Sequence, residues 1–183
     1  MTTINAFWYN PVNGFDRNNW GDLLNKTLIE KISRKKVVWI NHGNTLEKYI
    51  CIGSILQRAD AGSIIWGAGF LSNSRKLSIT PKQICAVRGK LTRNIILSQG
   101  IDCPEVYGDP ALLYPRYYKP DIKKKYKLGI IPHYIDSTNE WFKTNTSNDV
   151  LKIDILSGID KVVDQILSCD MIASSSLHGI IAA

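Results

Sequence analysis

The chain has 183 residues, of which 44% are apolar, and it carries a formal net charge of +7. This length and composition can bury a hydrophobic core, which excludes a disordered polypeptide and predicts one domain or two small ones. No apolar run reaches the roughly 18 residues needed to span a bilayer, and residues 1–11 lack the features of a secretory signal, so we expect a cytoplasmic protein. The positive charge suits an anionic partner without identifying one.

Short apolar runs alternate with helical patterns through the first part of the chain. Residues 23–32 and 91–97 have helical periodicity. The predicted strands are residues 4–9, 37–40, 50–55, 64–66, 84–87 and 105–107. Because a strand and a helix that follow each other repeatedly build a sheet covered by helices, this order predicts a mostly parallel, Rossmann-like α/β fold.

A stretch with two prolines and a lysine run, YPRYYKPDIKKKYK at residues 114–127, has little apolar periodicity and predicts a linker or crossover. A second series follows it, with strands at residues 128–131, 150–155 and 171–173 and a helix at residues 159–168. We therefore predict an N-terminal domain at residues 1–118 and the first part of a second Rossmann-like domain at residues 119–183.

Three strands cannot cover both faces of a parallel sheet with their own helices, so we expect the chain to be the N-terminal piece of a longer protein. A small cap completed by an oligomeric partner is the alternative. The four cysteines, Cys51, Cys85, Cys103 and Cys169, are far apart and lack histidines at metal-ligand spacing. We predict four buried, reduced thiols and no metal site.

Two glycine-containing segments follow predicted strands. The loop before the first helix ends in Asn19, Gly21 and Asp22, where the free N–H groups of a helix start suit an anion. Asp22 can equally be an N-cap or a first-turn acid that stabilises the helix. In WGAGF, Gly67 and Gly69 allow a ligand or a second backbone to approach closely, although no complete dinucleotide fingerprint follows.

Charged residues follow three further strands. Arg88 lies at the predicted carboxyl end of its strand, where ligands of open parallel sheets bind, and Arg93 lies in the next helix. A guanidinium binds carboxylate or phosphate through two parallel hydrogen bonds, whereas a surface salt bridge is the alternative role for Arg88. Asp109 in YGDPALL and His133 in IIPHYID come just after strands and are either site residues or ordinary loop residues.

The stretch SSSLHG places His178 where a strand passes into a helix, behind Ser174, Ser175 and Ser176. The serines supply hydroxyl and N–H groups at the helix start. An imidazole titrates near neutral pH, which suits proton transfer beside an anion site. We therefore regard His178 as a candidate acid or base and Ser175 and Ser176 as candidate substrate contacts.

Seven motifs, NWGDLLN, IGSIL, WGAGF, VRGKLTR, GDPALL, IPHY and SSSLHG, occur in this order between Asn19 and Gly179. Together they resemble the polysaccharide pyruvyltransferase family, especially its succinoglycan-type ketal pyruvyltransferases. The resemblance implies a GT-B-like architecture, in which two Rossmann-like domains face a cleft. It implies transfer of pyruvate from phosphoenolpyruvate to two hydroxyls of one sugar in a surface polysaccharide precursor, such as an exopolysaccharide or capsule.

The resemblance also implies partners. Phosphoenolpyruvate would be the donor substrate, with no cofactor, and the acceptor would be a lipid-linked or polymeric saccharide, with possible binding at the inner face of the membrane. No nucleic-acid partner is expected, because the lysine run at residues 123–127 lacks a recognition-helix pattern and an aromatic stacking array. The sequence does not indicate an oligomeric state.

Within this resemblance, His178 and Asp22 are the predicted catalytic residues, and Arg88 is the predicted anion clamp. The other predicted substrate-binding residues are Arg93, Asn19, Gly21, Gly67, Gly69, Asp109, His133, Ser175 and Ser176. Some family members carry arginine directly before the Leu-His pair, where this chain has Ser176. A GT-B nucleotide-sugar glycosyltransferase and a non-catalytic glycan-binding domain are the alternative functions.

Overall fold

A computed structural model describes residues 2–10, 19–140 and 147–183 of the chain. These residues form two compact units. The first unit contains residues 2–10 and Leu24–Leu113, and the second contains residues 19–23 with the described part of Tyr114–Ala183. The domain boundary at residues 118 and 119 stays a prediction, because compact units are defined by packing and not by independent folding.

The described part of the first unit contains a five-stranded parallel sheet in the order β2-β1-β3-β4-β5. Its strands are β1 Thr3–Ala6, β2 Lys36–Trp39, β3 Lys48–Ile50, β4 Ser63–Trp66 and β5 Gln83–Ala86. Helix α1, Trp20–Ser33, precedes β2, and helix α2, Lys90–Leu97, follows β5. A short 3₁₀ turn, Leu56–Arg58, follows β3.

The core of the first unit is apolar because alternate residues of the central strands point to one face. Ile50 of β3 and Ile65 of β4 are fully buried and pair in register. They belong to one buried cluster with Phe70, Val87 and Ile96 of α2. Burial of these side chains stabilises the carboxyl end of the sheet, where the loops after β3, β4 and β5 begin.

The described part of the second unit contains a three-stranded parallel sheet in the order β7-β6-β8. Its strands are β6 Tyr126–Ile131, β7 Val150–Lys152 and β8 Cys169–Ser174. Helix α3, Ile159–Leu167, buries Val162 and Ile166, which are four residues apart and therefore lie on one face. Helix α4, Leu177–Ala182, follows β8, and 3₁₀ turns span Pro110–Arg116 and Asp136–Thr138.

The parallel α/β prediction is confirmed, but several predicted bounds are wrong. The strand predicted at residues 50–55 ends at Ile50, because Gly53 has φ +125 and the backbone leaves the ladder. Residues 105–107 contribute only a single bridge, from Tyr107 to Val87. The strand predicted at residues 150–155 ends at Lys152, although Ile153 and Ile155 are buried. Ile52, Ile153 and Ile155 are buried in loops, so an apolar run did not distinguish a buried loop from a strand. Val106 and Tyr107, in contrast, are exposed.

The linker predicted at residues 114–127 is also partly wrong. Tyr114 is 4% exposed, its hydroxyl donates to Asp160 at 2.6 Å, and its ring packs edge to face with Trp20. Tyr118 donates a similar bond to Asp164, and β6 begins at Tyr126. Tyrosines can pack and hydrogen-bond without apolar periodicity, which is why the sequence pattern missed these contacts.

Three cysteines, Cys51, Cys103 and Cys169, are buried free thiols, as predicted. Cys85 is also free but only half-buried, because it lines an apolar cavity of about 410 Å³ together with Tyr49 and Trp66. Within the described ranges, no group of three or more His, Cys, Asp or Glu side chains could hold a metal ion. No helix in this part of the chain is long and apolar enough to cross a membrane.

Candidate functional site

In the first unit, the loops that follow β3, β4 and β5 are hydrogen-bonded to one another at the carboxyl end of the sheet. Gly69 N donates to Gly53 O at 3.1 Å, which joins the loops after β4 and β3. Arg88 N donates to Ala68 O at 3.3 Å, which joins the residues after β5 to the same loop. The backbone of Arg88 is therefore fixed at the edge where ligands of parallel sheets bind.

The guanidinium of Arg88 is half-buried and held by neutral groups. It donates to Ser54 Oγ at 2.8 Å and to the Phe70 carbonyl at 3.1 Å. A Cβ on Gly69 would lie 2.7 Å from the guanidinium, so only glycine lets Arg88 take this position. Among the described residues, no carboxylate oxygen lies within 4.0 Å of this guanidinium. The remaining N–H donors are suited to an anion.

Asp109 is the carboxylate that acts on the pKa of Arg88. Burial lowers the pKa of Arg88, and the Asp109 carboxylate opposes that effect. Asp109 itself is 5% exposed, and burial raises the pKa of its carboxyl although the Ala111 N–H and Arg88 oppose the rise. Its Oδ1 accepts from Ala111 N at 3.0 Å, whereas its Oδ2 has no hydrogen-bond partner among the described residues. Burying a carboxyl oxygen without a hydrogen-bond partner costs free energy, so this oxygen calls for a functional explanation.

Gly67 positions the segment that carries Asp109. Its φ is +98, and a Cβ there would lie 2.2 Å from Pro110 Cδ. Gly67 and Gly69 therefore make room for Pro110 and Arg88, which are side chains of the same unit. The sequence predicted that a ligand or a second backbone approaches these two glycines. The nearest groups are instead the Pro110 and Arg88 side chains, with the Gly108 carbonyl also close to Gly67.

The structure does not bring Arg93 to Arg88. The Nε of Arg93 donates to the Cys103 carbonyl at 2.9 Å, and its Nη1 pairs with Glu105 at 3.1 Å. These contacts attach α2 to the segment that follows it. Arg93 thus makes the salt bridge that the sequence had offered as the alternative for Arg88.

In the second unit, His178 lies against the first turn of α1. A Cβ on Gly21, the second residue of α1, would lie 2.2 Å from His178 Nδ1, so the ring packs directly on the Gly21 backbone. The ring centroids of His178 and Trp20 are 6.5 Å apart. Asp22 is the acidic residue of the same helical turn. Two predicted site residues, Gly21 and His178, are therefore in contact, and Asp22 is their close neighbour.

Asn19 and Trp20 fix that helical turn. Asn19 Oδ1 accepts from Gly21 N at 3.1 Å, and its carbonyl accepts from Leu23 N at 3.0 Å, which is the geometry of an N-cap. Trp20 is 1% exposed, and its indole N–H donates to the Ile159 carbonyl at 3.2 Å. Sequence analysis missed the role of Trp20, because its partners, Ile159 and Tyr114, lie far away in the chain.

The serines before His178 form hydrogen bonds mainly with neighbouring groups of the protein itself. Ser174 Oγ donates to the Ile131 carbonyl at 2.8 Å and accepts from Ser176 N at 3.0 Å. Ser176 is 3% exposed, and its hydroxyl accepts from Gly179 N at 3.4 Å as the N-cap of α4. Ser176 is therefore a structural cap at the position where some family members carry arginine.

His133 and Ser175 are brought together at the ends of β6 and β8. Ser175 Oγ accepts from His133 N at 2.8 Å and donates to Asp136 Oδ2 at 2.9 Å. The His133 ring stacks on Tyr134, with centroids 4.3 Å apart. Sequence analysis missed two polar contacts, Asp136 here and Ser54 in the first unit. Each binds a partner that lies far away in the chain, Ser175 and Arg88 respectively.

The chemistry of the two units differs. The first unit offers a fixed cation beside a buried carboxyl, which suits an anionic group. The second offers an imidazole packed at a helix start, which can donate or accept a proton. Neither arrangement contains the acidic ribose contact or complete glycine fingerprint of a dinucleotide site.

Comparison with known proteins agrees with these observations. An uncharacterized protein of Acanthamoeba polyphaga mimivirus is 35% identical over 176 residues, which cover 90% of this chain and 60% of the relative. The chain thus spans about 60% of the length of this curated relative. No solved structure shows a significant match. A family model described as polysaccharide pyruvyl transferase matches residues 5–183, which confirms the resemblance carried by the seven motifs. The chain belongs to the polysaccharide pyruvyl transferase family.

Proposed function

We propose that the protein transfers pyruvate from phosphoenolpyruvate to two hydroxyls of one sugar residue in a surface polysaccharide precursor, forming a ketal and releasing phosphate. One observation carries the proposal. Arg88 presents a half-buried, oriented guanidinium at the carboxyl end of a parallel sheet, in a chain of the polysaccharide pyruvyl transferase family. Such a cation fits the phosphate or carboxylate of the donor.

The chemistry requires an acid, a base for the attacking hydroxyls and a cationic group that binds the donor. An acid protonates the methylene carbon of the enol, which makes C2 electrophilic. The two sugar hydroxyls add to C2 in turn, and the C2–O bond to phosphate breaks with its electron pair leaving on phosphate. Of the two hydroxyl protons, one replaces the proton consumed at the methylene and the other leaves with phosphate. The reaction balances without a redox cofactor, and it needs a cationic group for the donor.

We assign the proton transfers to His178, with Asp22 as a second candidate. The support is that the His178 ring is held against Gly21 in the first turn of α1, the turn that contains Asp22. A ring pinned in this way loses little entropy when it meets a substrate. His133 is a secondary candidate for base work or for sugar contacts.

We assign to Arg88 the binding of the donor's phosphate or carboxylate. Arg93 is already paired with Glu105, and the Ser176 hydroxyl caps α4. Asp109 is a secondary candidate for base work or for sugar contacts. It also keeps a negative charge close to Arg88, which limits the cost of burying that cation.

The acceptor in this proposal is a saccharide, either polymeric or lipid-linked. Phosphoenolpyruvate is a metabolite of the cytoplasm, so we place the reaction there, and a lipid-linked acceptor would bring the protein to the inner face of the membrane. No further cofactor is needed.

The test is phosphate release from phosphoenolpyruvate with and without a saccharide, using methyl glycosides of galactose, glucose and mannose as acceptor probes. We expect acceptor-dependent release, and mass spectrometry should show a sugar that has gained pyruvate and lost water. Preferential turnover of a nucleotide sugar would replace the proposal with the glycosyltransferase alternative. Saccharide binding without turnover of either donor would favour the glycan-binding alternative.

A further inference from the structure

A second group of residues lies at the carboxyl end of the first sheet, where β1 and β2 end side by side. Ala6 and Trp39, the last residues of these strands, pair in register, and Ile40 N donates to the Ala6 carbonyl at 2.9 Å. Phe7 follows β1 directly. Ligands of parallel sheets bind outside the carboxyl ends of the strands, so any group exposed here is available to a substrate.

Three rings form a row at this edge, which we call the aromatic platform: Trp39, Phe7 and His42. The Phe7 ring is 6.4 Å from that of Trp39 and 5.3 Å from that of His42, measured between centroids. Phe7 is 3% exposed and supports the other two, whereas Trp39 is 36% exposed. The indole N–H of Trp39 donates to the Trp8 carbonyl at 3.0 Å, which fixes the orientation of the exposed ring.

The platform ends in exposed hydrogen-bonding groups. His42 Nδ1 is 2.8 Å from Asn41 Oδ1, and His42 Nε2 is 3.4 Å from Arg58 Nη1. Both contacts are hydrogen bonds if the proton of the ring is on Nδ1, because the amide oxygen accepts and the guanidinium donates. The imidazole is therefore held in place between an amide and a cation, and all three side chains are exposed to solvent.

This combination matches a pyranose ring. A pyranose has one face of C–H groups, which packs on an aromatic ring, and a rim of hydroxyls, which bind amide, imidazole and guanidinium groups. A purely apolar partner would cover the exposed Asn41 and Arg58 side chains without bonding to their remaining N–H groups. A polyanion would meet one cation among the described residues bonded to the platform, Arg58.

We propose that the aromatic platform binds a pyranose residue of the saccharide acceptor, with its C–H face on Trp39 and its hydroxyls toward the side chains that flank His42, Asn41 and Arg58. This inference rests on the proposed function for the identity of the acceptor. The platform is preorganised, because Trp39 is held by Trp8 and Phe7 before any ligand arrives, and preorganisation lowers the entropic cost of binding.

The experiment is saturation-transfer NMR on the protein with methyl glycosides of galactose, glucose and mannose, together with calorimetric titration of phosphoenolpyruvate. Trp39→Ala should weaken binding of the glycoside by about tenfold or more, because the aromatic face is lost. Val38→Ala is the matched control: Val38 is also 36% exposed and is the preceding residue of β2, so its side chain points to the opposite face. We expect that control to bind as the wild type does.

Two further variants keep the test valid if Trp39→Ala does not fold. Trp39→Phe keeps an aromatic face and should bind within about threefold of the wild type. His42→Ala removes an exposed ring and should weaken glycoside binding several-fold. Wild-type affinity in Trp39→Ala and His42→Ala, or no binding of any glycoside by the wild type, overturns the platform.

The two proposals fail in different ways. If phosphoenolpyruvate binds and glycoside binding does not depend on Trp39, the platform is wrong and the proposed function stands. If glycoside binding depends on Trp39 but phosphoenolpyruvate neither binds nor releases phosphate, the platform stands and the proposed function is wrong.

Discussion

The Arg88 region and the His178 region solve the placement of a functional side chain in different ways. Arg88 is held by hydrogen bonds to neutral acceptors and is influenced by a buried carboxyl, so its environment is mainly electrostatic. His178 is held by the space above a helical glycine, so its environment is mainly steric. Both regions need a glycine, Gly69 in one and Gly21 in the other, because a Cβ would occupy the place of the functional group. Charge changes should therefore affect the first region most, and volume changes the second.

The largest expected effect is that of His178→Asn. We expect kcat for acceptor-dependent phosphate release to fall by about 10²–10⁴, the usual share of general acid–base catalysis. The affinity for phosphoenolpyruvate should hardly change, because proton transfer contributes mainly in the transition state, and the loss of stability should be much smaller than the loss of turnover. His133→Asn changes the secondary candidate for base work and should lower kcat far less, which ranks the two histidines. Equal losses of stability and turnover in His178→Asn would show that the residue is structural.

The next effect is on donor binding. Arg88→Lys keeps the charge but loses the planar fork that contacts Ser54 and Phe70, so we expect donor binding to weaken by roughly 1.5–3 kcal/mol, measured by calorimetry with phosphoenolpyruvate. The control is Arg93→Lys, where a salt bridge to exposed Glu105 changes and donor affinity should not. An unchanged dissociation constant in Arg88→Ala would exclude Arg88 as the anion clamp.

Because the His178 region is packed sterically, the effect of Gly21→Ala on the free energy of unfolding should change sign when the His178 ring is removed. Gly21→Ala should destabilise the protein by about 1–3 kcal/mol, because the new Cβ overlaps the His178 ring. In a His178→Ala background the same substitution should be stabilising by about 0.5 kcal/mol, because alanine is a better helix former than glycine. Urea unfolding of the four proteins measures both values. The same sign in both backgrounds would contradict the contact between Gly21 and His178.

The smallest effect concerns Asp109 and depends on pH. Because burial raises its pKa above the unfolded value of about 3.9, ionisation of Asp109 costs stability as the pH rises through and above that value. Asp109→Asn removes this cost, so we expect the free energy of unfolding to rise at pH 7, with little difference from the wild type at pH 3. Urea unfolding at the two pH values measures the difference.

Asp60→Asn is the control of opposite sign. Burial favours a raised pKa there too, but hydrogen bonds from Lys48, Ser63 and the Gly43 backbone outweigh it and lower the pKa of Asp60. The stability that this carboxylate contributes is present above its unfolded pKa and is lost as the pH falls through its lower folded pKa. Asp60→Asn should therefore destabilise the protein at pH 7. Parallel behaviour of the two variants would mean that burial alone controls both carboxyls.

Several features follow from the sequence alone. Alternating strand and helix patterns determine a parallel α/β fold, because a parallel strand needs a crossover and its sheet needs cover on its faces. The motif order determines the family. The positions just after the strands, at Arg88 and His133, can also be predicted, since a strand's carboxyl end can be located within a few residues from its apolar run.

Only the tertiary structure distinguished the contacts of Arg88 from those of Arg93, two arginines of the same motif, VRGKLTR. Their roles differ because Ser54 and Phe70 approach one and Cys103 and Glu105 approach the other. Likewise, Ile52 is fully buried in a loop that resembles a strand in sequence. The apolar side chains indicate that the loop is buried. Its backbone conformation depends instead on the positive φ of Gly53 and on the hydrogen bond from Gly69 in the loop after β4. Polar partners and loop paths are chosen by atoms distant in sequence, so local patterns cannot specify them.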